Sequence, residues 1–309
     1  MKRTFRKDLI ILANGASEHL GRKVADFCGC SFTAMNKKIF ADGEIYHAFP
    51  CDITGKDIVI IAATPDDGAL LELIDMIDGC HHYLANSVNI IVPYLGYSTM
   101  EQAKPGFQEI PKGITRTRQI FRARPHFAAF VDLHSEAVLN AHGGDIHTLH
   151  LQTDQLIVEK INALAIDNFV LVSPDYGRSK WVARLAGLLG VSHTAADKDR
   201  YAMDKTMVGQ VASVVEGKTA IICDDMIRTG GSIIQTAQRC REAGATDVIL
   251  FATHLVMAGN CEKRFRENGI RKIIGSDTYP DRTNNDLLDI YSVAPLLHKA
   301  ITKQLQIID

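Results

Sequence analysis

The sequence contains no long uninterrupted apolar run. Its first apolar segment, Leu9–Ala13, is far too short for a signal-peptide core or a membrane span, which takes about 20 residues. A dominant charge is also missing. Thirty-four Lys and Arg stand against 36 Asp and Glu, a net charge of −2, so composition gives no reason to expect a nucleic acid or a membrane surface as partner. Close cysteine pairs are scarce. Of seven cysteines only Cys28 and Cys30 lie near each other, and no second pair stands at zinc-site spacing, so no zinc site is expected. Cys80, Cys223 and Cys240 fall inside apolar segments and read as buried free thiols of a reducing compartment. The chain is expected to be cytoplasmic. What remains is ordinary globular composition, 46% hydrophobic and 23% charged over 309 residues, enough for two domains of about 150 residues each.

The most informative stretch is Thr219-Ala-Ile-Ile-Cys-Asp-Asp-Met-Ile-Arg-Thr-Gly-Gly-Ser. The bounded apolar run Ala220–Cys223 predicts a strand covered on both faces. Asp224 and Asp225 then fall at its C-terminal edge, where open α/β sheets bind ligands. Thr229, Gly230, Gly231 and Ser232 can wrap a phosphate. The glycines let backbone N–H groups approach, the hydroxyls donate, and the helix beginning near Ile233 offers its positive end. Carboxylates that accept from hydroxyls beside donors that hold an anion suit a ribose phosphate. A plain strand-to-helix turn with a hydroxyl cap is the alternative.

The rest of the chain repeats that cadence. Asp57–Ala63 predicts a strand, Leu70, Leu73, Ile74 and Ile77 mark one face of a helix, and Val88–Pro93 is the return strand. The second copy runs Thr219–Cys223, a helix with Ile233, Ala237 and Cys240 on one face, then Asp247–Ala252. This weak duplication predicts two related α/β domains, 1–149 and 150–309. A helix is expected over Gly15–Phe27, with Leu20, Val24 and Phe27 on one face. Thr64-Pro-Asp-Asp-Gly reads as a helix entrance. Ser98 to Arg118 reads as a long irregular segment holding Lys104, Lys112, Arg116 and Arg118. Three further places can carry chemistry. Phe40, Asp42 and Glu44 surround Gly43, either as a hairpin turn or as a stacking ring with two acceptors for a base. Asp132 and His134 close a strand at i, i+2 and are expected to share its face. Asp175 ends another strand, where a carboxylate can hold a hard cation. Lys198 and Arg200 sit in a charged loop, solvated or able to neutralise a developing negative charge.

Together, in this order, these motifs resemble the ribose-phosphate pyrophosphokinases over about residues 8–305. The resemblance implies two tandem phosphoribosyltransferase-like domains, each a mostly parallel sheet flanked by helices. It implies a homo-oligomer built from dimers, up to a hexamer, and Mg²⁺ with ATP as co-substrate. By the same resemblance Phe40, Asp42 and Glu44 hold adenine, His134 meets the ATP–magnesium complex and Asp175 binds magnesium. Lys198 and Arg200 are catalytic, and Asp224, Asp225, Arg228, Thr229, Gly230, Gly231 and Ser232 hold the acceptor. The implied reaction moves the β,γ-diphosphate of ATP to the anomeric hydroxyl of a ribose 5-phosphate moiety and releases AMP.

Four departures stand out. The family usually has Asp at Arg228 and Thr at Ser232. It usually has Ala-Arg-Gln where this chain has Ser98, Thr99 and Met100, and it follows the Ser-Pro-Asp with Gly-Gly where this chain has Tyr176-Gly177-Arg178. Arg228 suits an additional phosphate better than an aspartate does. That raises ADP-ribose, which a variant branch of the family converts to its 1-diphosphate for NAD rebuilding, beside ribose 5-phosphate as acceptor. Two other readings are a non-catalytic regulatory paralogue, favoured by the missing Arg-Gln, and a phosphoribosyltransferase. The Phe40–Glu44 element and the duplicated architecture oppose the latter.

Overall fold

The computed structural model describes residues 8–195 and 214–305. Internal packing divides the chain into two compact units, Met1–Gln152 with Thr278–Pro280 and Ser292–Asp309, and Thr153–Asp277 with Asp281–Tyr291.

The first unit is built on β1 (Leu9–Ala13), β2 (Ser31–Ala34), β5 (Asp57–Ile61), β6 (Ser87–Val92), β7 (Phe127–Val131) and β8 (His147–Leu151). The sheet order is β2-β1-β5-β6-β7-β8 and every neighbouring pair is parallel. Residues of β1, β5 and β7 are buried throughout. That follows from a parallel sheet covered on both faces, where alternation gives way to continuous apolar sequence. Two helices are α1 (Glu18–Cys28) and α2 (Asp67–His82), the latter started by Asp66, whose carboxylate accepts from Ala69 N at 2.8 Å. Thr64-Pro-Asp-Asp-Gly is thus a helix entrance. Apart from the sheet, β3 (Asn36–Ile39) and β4 (Ile45–Ala48) form an antiparallel hairpin.

The polar stretch expected to be irregular is partly helical. After Pro111, helix α3 (Lys112–Arg122) buries Thr117, Ile120 and Phe121, and that burial stabilises a helix the polar sequence conceals. Phe27 departs from expectation as well. Leu20 and Val24 are buried, but Phe27 is 52% exposed and stacks on His298 with ring centroids 6.2 Å apart.

The second unit contains α4 (Asp154–Ala163), β9 (Phe169–Ser173), α5 (Tyr176–Leu189), β10 (His193–Ala195), β11 (Thr219–Ile227), α6 (Gly231–Glu242), β12 (Asp247–Leu255), α7 (Cys261–Glu267), β13 (Lys272–Ser276) and β14 (Leu288–Tyr291). Its sheet order is β10-β9-β11-β12-β13-β14, again parallel throughout. With the β3–β4 hairpin set aside, both sheets take their strands in the same chain order, second-first-third-fourth-fifth-sixth. The faint duplication in sequence is therefore a duplication of topology. The final helix, α8 (Ala294–Gln304), belongs to the first unit and packs there on α1, with Cys28 Sγ 3.4 Å from His298 Nδ1.

All seven cysteines are free thiols. Burial raises the thiols of Cys80 and Cys240 to about 12, which leaves almost no thiolate at pH 8. Cys51 is exposed. Cys30 is half-buried, and a hydrogen bond from Cys28 holds its thiol below the ordinary range. Iodoacetamide at pH 8 followed by mass spectrometry should mark Cys51 and Cys30 in the native protein and reach Cys80 and Cys240 only in denaturant. Rapid native labelling of Cys80 would contradict this packing.

Candidate functional site

The duplicated topology places one strand-to-helix turn at the C-terminal edge of each sheet, β5–α2 and β11–α6. The first carries Asp66-Asp67-Gly68 as a helix entrance, and only the second joins its acidic pair to a Thr-Gly-Gly-Ser loop.

Strand β11 is longer than its apolar core, running on to Ile227. Asp224 and Asp225 are therefore part of the strand. Asp224 lies beside Ala252 of β12, while the pairing with β9 stops at Ile222. On the β9 side the end of β11 is thus open to α5, the helix that follows β9. Asp175 caps α5, its Oδ1 accepting from Arg178 N at 3.1 Å. This cap sets the first turn, and Arg178 extends from that turn to the carboxylates. Its Nη2 is 2.7 Å from Asp225 Oδ2 and its Nε is 3.9 Å from Asp224 Oδ1. All three side chains are largely buried, at 16%, 18% and 8% exposure for Arg178, Asp224 and Asp225. Burial first, and then the neighbouring Asp225, pushes the Asp224 carboxyl well above the usual range, and the Arg178 guanidinium pulls it back down. Two adjacent carboxylates in a dry place behave this way because their charges repel.

The loop after the strand is shaped by backbone contacts. Met257 N donates to Ile227 O and Ala258 N to Arg228 O, both at 2.8 Å. Arg264 Nη1 of α7 donates to Thr229 O at 2.9 Å. Gly230 has φ +76, a left-handed conformation that L side chains rarely adopt, and sits directly over the Phe265 ring. As N-cap of α6 it places no side-chain cap on the first turn, and a helix start of this kind favours an anion at its positive end. Arg228, Thr229 and Ser232 are exposed, and Gly231, half-buried, begins α6.

In the first unit the Phe40–Glu44 element is a hairpin turn. Phe40 N donates to Glu44 O at 2.9 Å and Gly43 N to Phe40 O at 3.0 Å. Asp42 Oδ1 accepts from Glu44 N at 3.1 Å. The turn does not remove Phe40 from use. Its ring is 42% exposed, with Lys38 Nζ 4.9 Å from the centroid. A cleft of about 580 Å³ opens beside the hairpin, lined by Tyr46, His47, Phe49 and Tyr83 among others. Phe40, Asp42 and Glu44 do not line it.

Asp132 and His134 do not share a strand face. Strand β7 ends at Val131, and Asp132 has φ +37, so the two-residue alternation stops before it applies. Asp132 is buried and His134 half-buried. Beside them a pair that sequence reading missed fixes the turn. His150 Nε2 accepts from Leu133 N at 2.9 Å while its Nδ1 lies 2.6 Å from Glu136 Oε1. Of the four basic residues in 98–118, Arg116 is committed to Asp67, with Nε–Oδ1 3.2 Å. Lys112 lies over the Tyr97 ring at 5.0 Å and Lys104 is 3.9 Å from Glu109. Arg118 is exposed. Lys198 and Arg200 lie outside the described residues.

Among the described residues no three His, Cys, Asp or Glu side chains cluster as a metal cage. Magnesium does not need one. It takes one or two carboxylates and completes its octahedron with water and phosphate oxygens, and Asp175 at a strand end fits that sparse donor set. Imidazole suits softer metals, so His134 fits a phosphate oxygen better than the ion itself. No helix among the described residues is long and apolar enough to cross a membrane.

Sequence signals for these contacts vary. Arg178 stands three residues after a cap residue, a spacing that places it in the first turn, but nothing in the sequence names Asp225 as its partner. Arg264 acts through a guanidinium-to-carbonyl contact that leaves no pattern at all.

Known proteins match this arrangement along the whole chain. The model for the N-terminal domain of ribose phosphate pyrophosphokinase matches residues 9–112, and the phosphoribosyl transferase domain model matches 144–281. The ribose-phosphate pyrophosphokinase of Thermosipho africanus is 31% identical over 96% of this chain and 95% of its own length. Ribose-phosphate pyrophosphokinase 1 of Streptococcus pneumoniae is 30% identical over 96% and 94%. The crystal structure of phosphoribosylpyrophosphate synthetase from Mycobacterium smegmatis superimposes with a TM-score of 0.86 at 29% identity, covering 98% of this chain and all of that one. With both halves matched in order and the turn after β11 built as described, this chain belongs to the ribose-phosphate pyrophosphokinase family of diphosphotransferases.

Proposed function

We propose that the protein transfers the β,γ-diphosphate of ATP to the anomeric hydroxyl of a ribose 5-phosphate moiety and releases AMP. The observation that carries this reading is the end of β11, where two largely buried carboxylates precede a left-handed Gly230 and an uncapped helix start. Asp224 and Asp225 accept from the ribose hydroxyls. The N–H groups of Gly230 to Ser232 and the Thr229 and Ser232 hydroxyls donate to the acceptor phosphate. Phe40 stacks on adenine, while Asp42 and Glu44 accept from its amino group.

In the chemical step the anomeric oxygen forms a bond to the β-phosphorus. The bond from that phosphorus to the α,β-bridging oxygen breaks, and its electron pair leaves on AMP. The hydroxyl proton passes to water. Such reactions depend mostly on positioning and charge neutralisation. Lys198 and Arg200 neutralise the diphosphate as it moves. Asp175 holds magnesium and His134 a phosphate oxygen of the ATP complex. Magnesium, when bound, spreads the negative charge of the ATP phosphates.

The acceptor is either ribose 5-phosphate or ADP-ribose. Arg228, exposed at the loop, favours the acceptor with the additional phosphate. The division into domains 1–149 and 150–309, and a dimer-based homo-oligomer, belong to the same reading. The test is AMP formation from Mg·ATP with each sugar offered separately. Turnover with ribose 5-phosphate and none with ADP-ribose removes the larger acceptor. No AMP with either one sinks the catalytic reading and leaves the regulatory paralogue.

A further inference from the structure

The geometry points to Arg178 as a positioning residue of the acceptor site, one that holds the Asp224 and Asp225 carboxylates in place for the ribose hydroxyls. This inference rests on the acceptor role of that pair proposed above. It concerns a residue outside the strand and loop that carry the pair, and one to which the reaction as described assigns no part.

Three observations support it. Asp224 and Asp225 are adjacent in the chain and largely buried, so their charges repel in a place with little solvent to screen them. Arg178 is a cation that answers both, at 2.7 Å to Asp225 and 3.9 Å to Asp224, and it is itself only 16% exposed. Its own backbone is fixed, because its N–H donates to the Asp175 cap at 3.1 Å. The guanidinium thus cannot drift with solvent as a surface arginine does. Asp225 N also donates to Asp224 Oδ1 at 2.9 Å, which orients Asp224 but brings no positive charge.

The consequence concerns binding more than chemistry. A carboxylate that accepts from a sugar hydroxyl must keep its lone pairs aimed outward from the strand end. Arg178 engages one oxygen of Asp225, and a carboxylate has about four acceptor sites, so an ion pair on one oxygen is compatible with a ligand hydroxyl on the pair. Without the guanidinium, two buried negative charges lose their counter-charge and the pair must rearrange or take up a proton. A proton turns an acceptor into a donor and spoils the match to a hydroxyl. Arginine is also the residue suited to this task, being charged at every working pH and planar where lysine is a mobile point charge.

The experiment is a kinetic comparison of Arg178→Met, Arg178→Lys and Asp225→Asn on the full chain with Mg·ATP and the working acceptor. Arg178→Met should raise the acceptor KM by roughly tenfold to hundredfold, the range of one charge-assisted buried hydrogen bond. The KM for ATP should stay within about twofold, because a uniform binding contact to one substrate has been removed. Arg178→Lys should recover part of the loss. Arg178→Met and Asp225→Asn together should cost less than the product of the two single effects, since they break one shared contact. An acceptor KM unchanged in Arg178→Met, an equal rise in the KM for ATP, or independent multiplication of the two effects overturns the inference. If Arg178→Met does not fold, Arg178→Gln, which keeps a hydrogen bond without the charge, carries the same comparison.

A wild-type protein that forms no AMP with either sugar removes the proposed function. The inference is then read by calorimetric binding of ribose 5-phosphate and of ADP-ribose. Weaker binding of a sugar to Arg178→Met than to wild type sustains it. Equal binding, or no binding of either sugar to wild type, overturns it.

Discussion

Lys198→Ala is expected to lower the rate of AMP formation by about two to three orders of magnitude, the usual loss on removing one group that stabilises transition-state charge. The diphosphate leaves one oxygen and reaches another with its negative charge spread over peripheral oxygens. A cation that meets this charge only during transfer contributes little to ground-state binding. The kcat should therefore fall while the KM for ATP and for the acceptor moves little. Arg200→Ala should act in the same direction, and the two losses should not add, because both cations act on one moving group. Steady-state rates at saturating Mg·ATP decide the matter. A Lys198→Ala protein as fast as wild type would refute the assigned role, and a large rise in KM without change in kcat would move Lys198 from catalysis to binding.

Gly230→Ala should destabilise the second unit. The residue has φ +76, and a Cβ there would lie 2.5 Å from Phe265 Cζ, 2.9 Å from Cε1 and 3.1 Å from Cys261 Sγ. The left-handed conformation costs a residue with a Cβ about 1–2 kcal/mol. Overfilling a packed site adds about 1–3 kcal/mol. Phe265 is wholly buried and cannot move aside without opening the core around Ile233 and Cys261. At about 2–4 °C per kcal/mol for a protein of this size, the melting temperature should fall by about 5 °C or more. The loop would also lose the shape that aims the first N–H groups of α6, so the acceptor KM should rise as well. Differential scanning calorimetry and acceptor titration read the two effects separately. An unchanged melting temperature would show that the loop relieves the clash by local movement, contrary to the anchoring by Arg264, Met257 and Ala258.

Much of this molecule is legible without its structure, for definite reasons. In a parallel sheet covered on both faces, burial imposes continuous apolar sequence, so Leu9–Ala13, Asp57–Ile61, Phe169–Ser173 and the first part of Thr219–Ile227 mark themselves as strands. The phosphate-type loop is also local. Two carboxylates, two glycines and two hydroxyls within nine residues state their chemistry because backbone N–H groups and neighbouring side chains suffice to make it. The repeated strand–helix–strand cadence foretold two related α/β halves, and their sheets take the same strand order.

Local reasoning failed where the chain was continued by inference. Asp132 and His134 were placed on one strand face, yet the strand ends at Val131 and a left-handed Asp132 breaks the alternation. Helix α3 lay hidden in a polar stretch because its apolar residues are few and their burial depends on what covers them. Phe27 obeyed helical spacing and still emerged at the surface beside His298.

The sequence by itself determined the apolar central strands, the acidic pair, the phosphate-type loop and the family likeness, each of which depends on residues close together in the chain. The tertiary structure alone decided that α8 packs on α1, that Arg264 holds Thr229 from another helix, and that Arg178 stands on Asp225. These contacts join residues tens to hundreds apart in sequence, and their energy comes from the space the sheets leave between elements. No periodicity or motif encodes that space. It exists only once β9 stops pairing at Ile222 and leaves the end of β11 open to the first turn of α5.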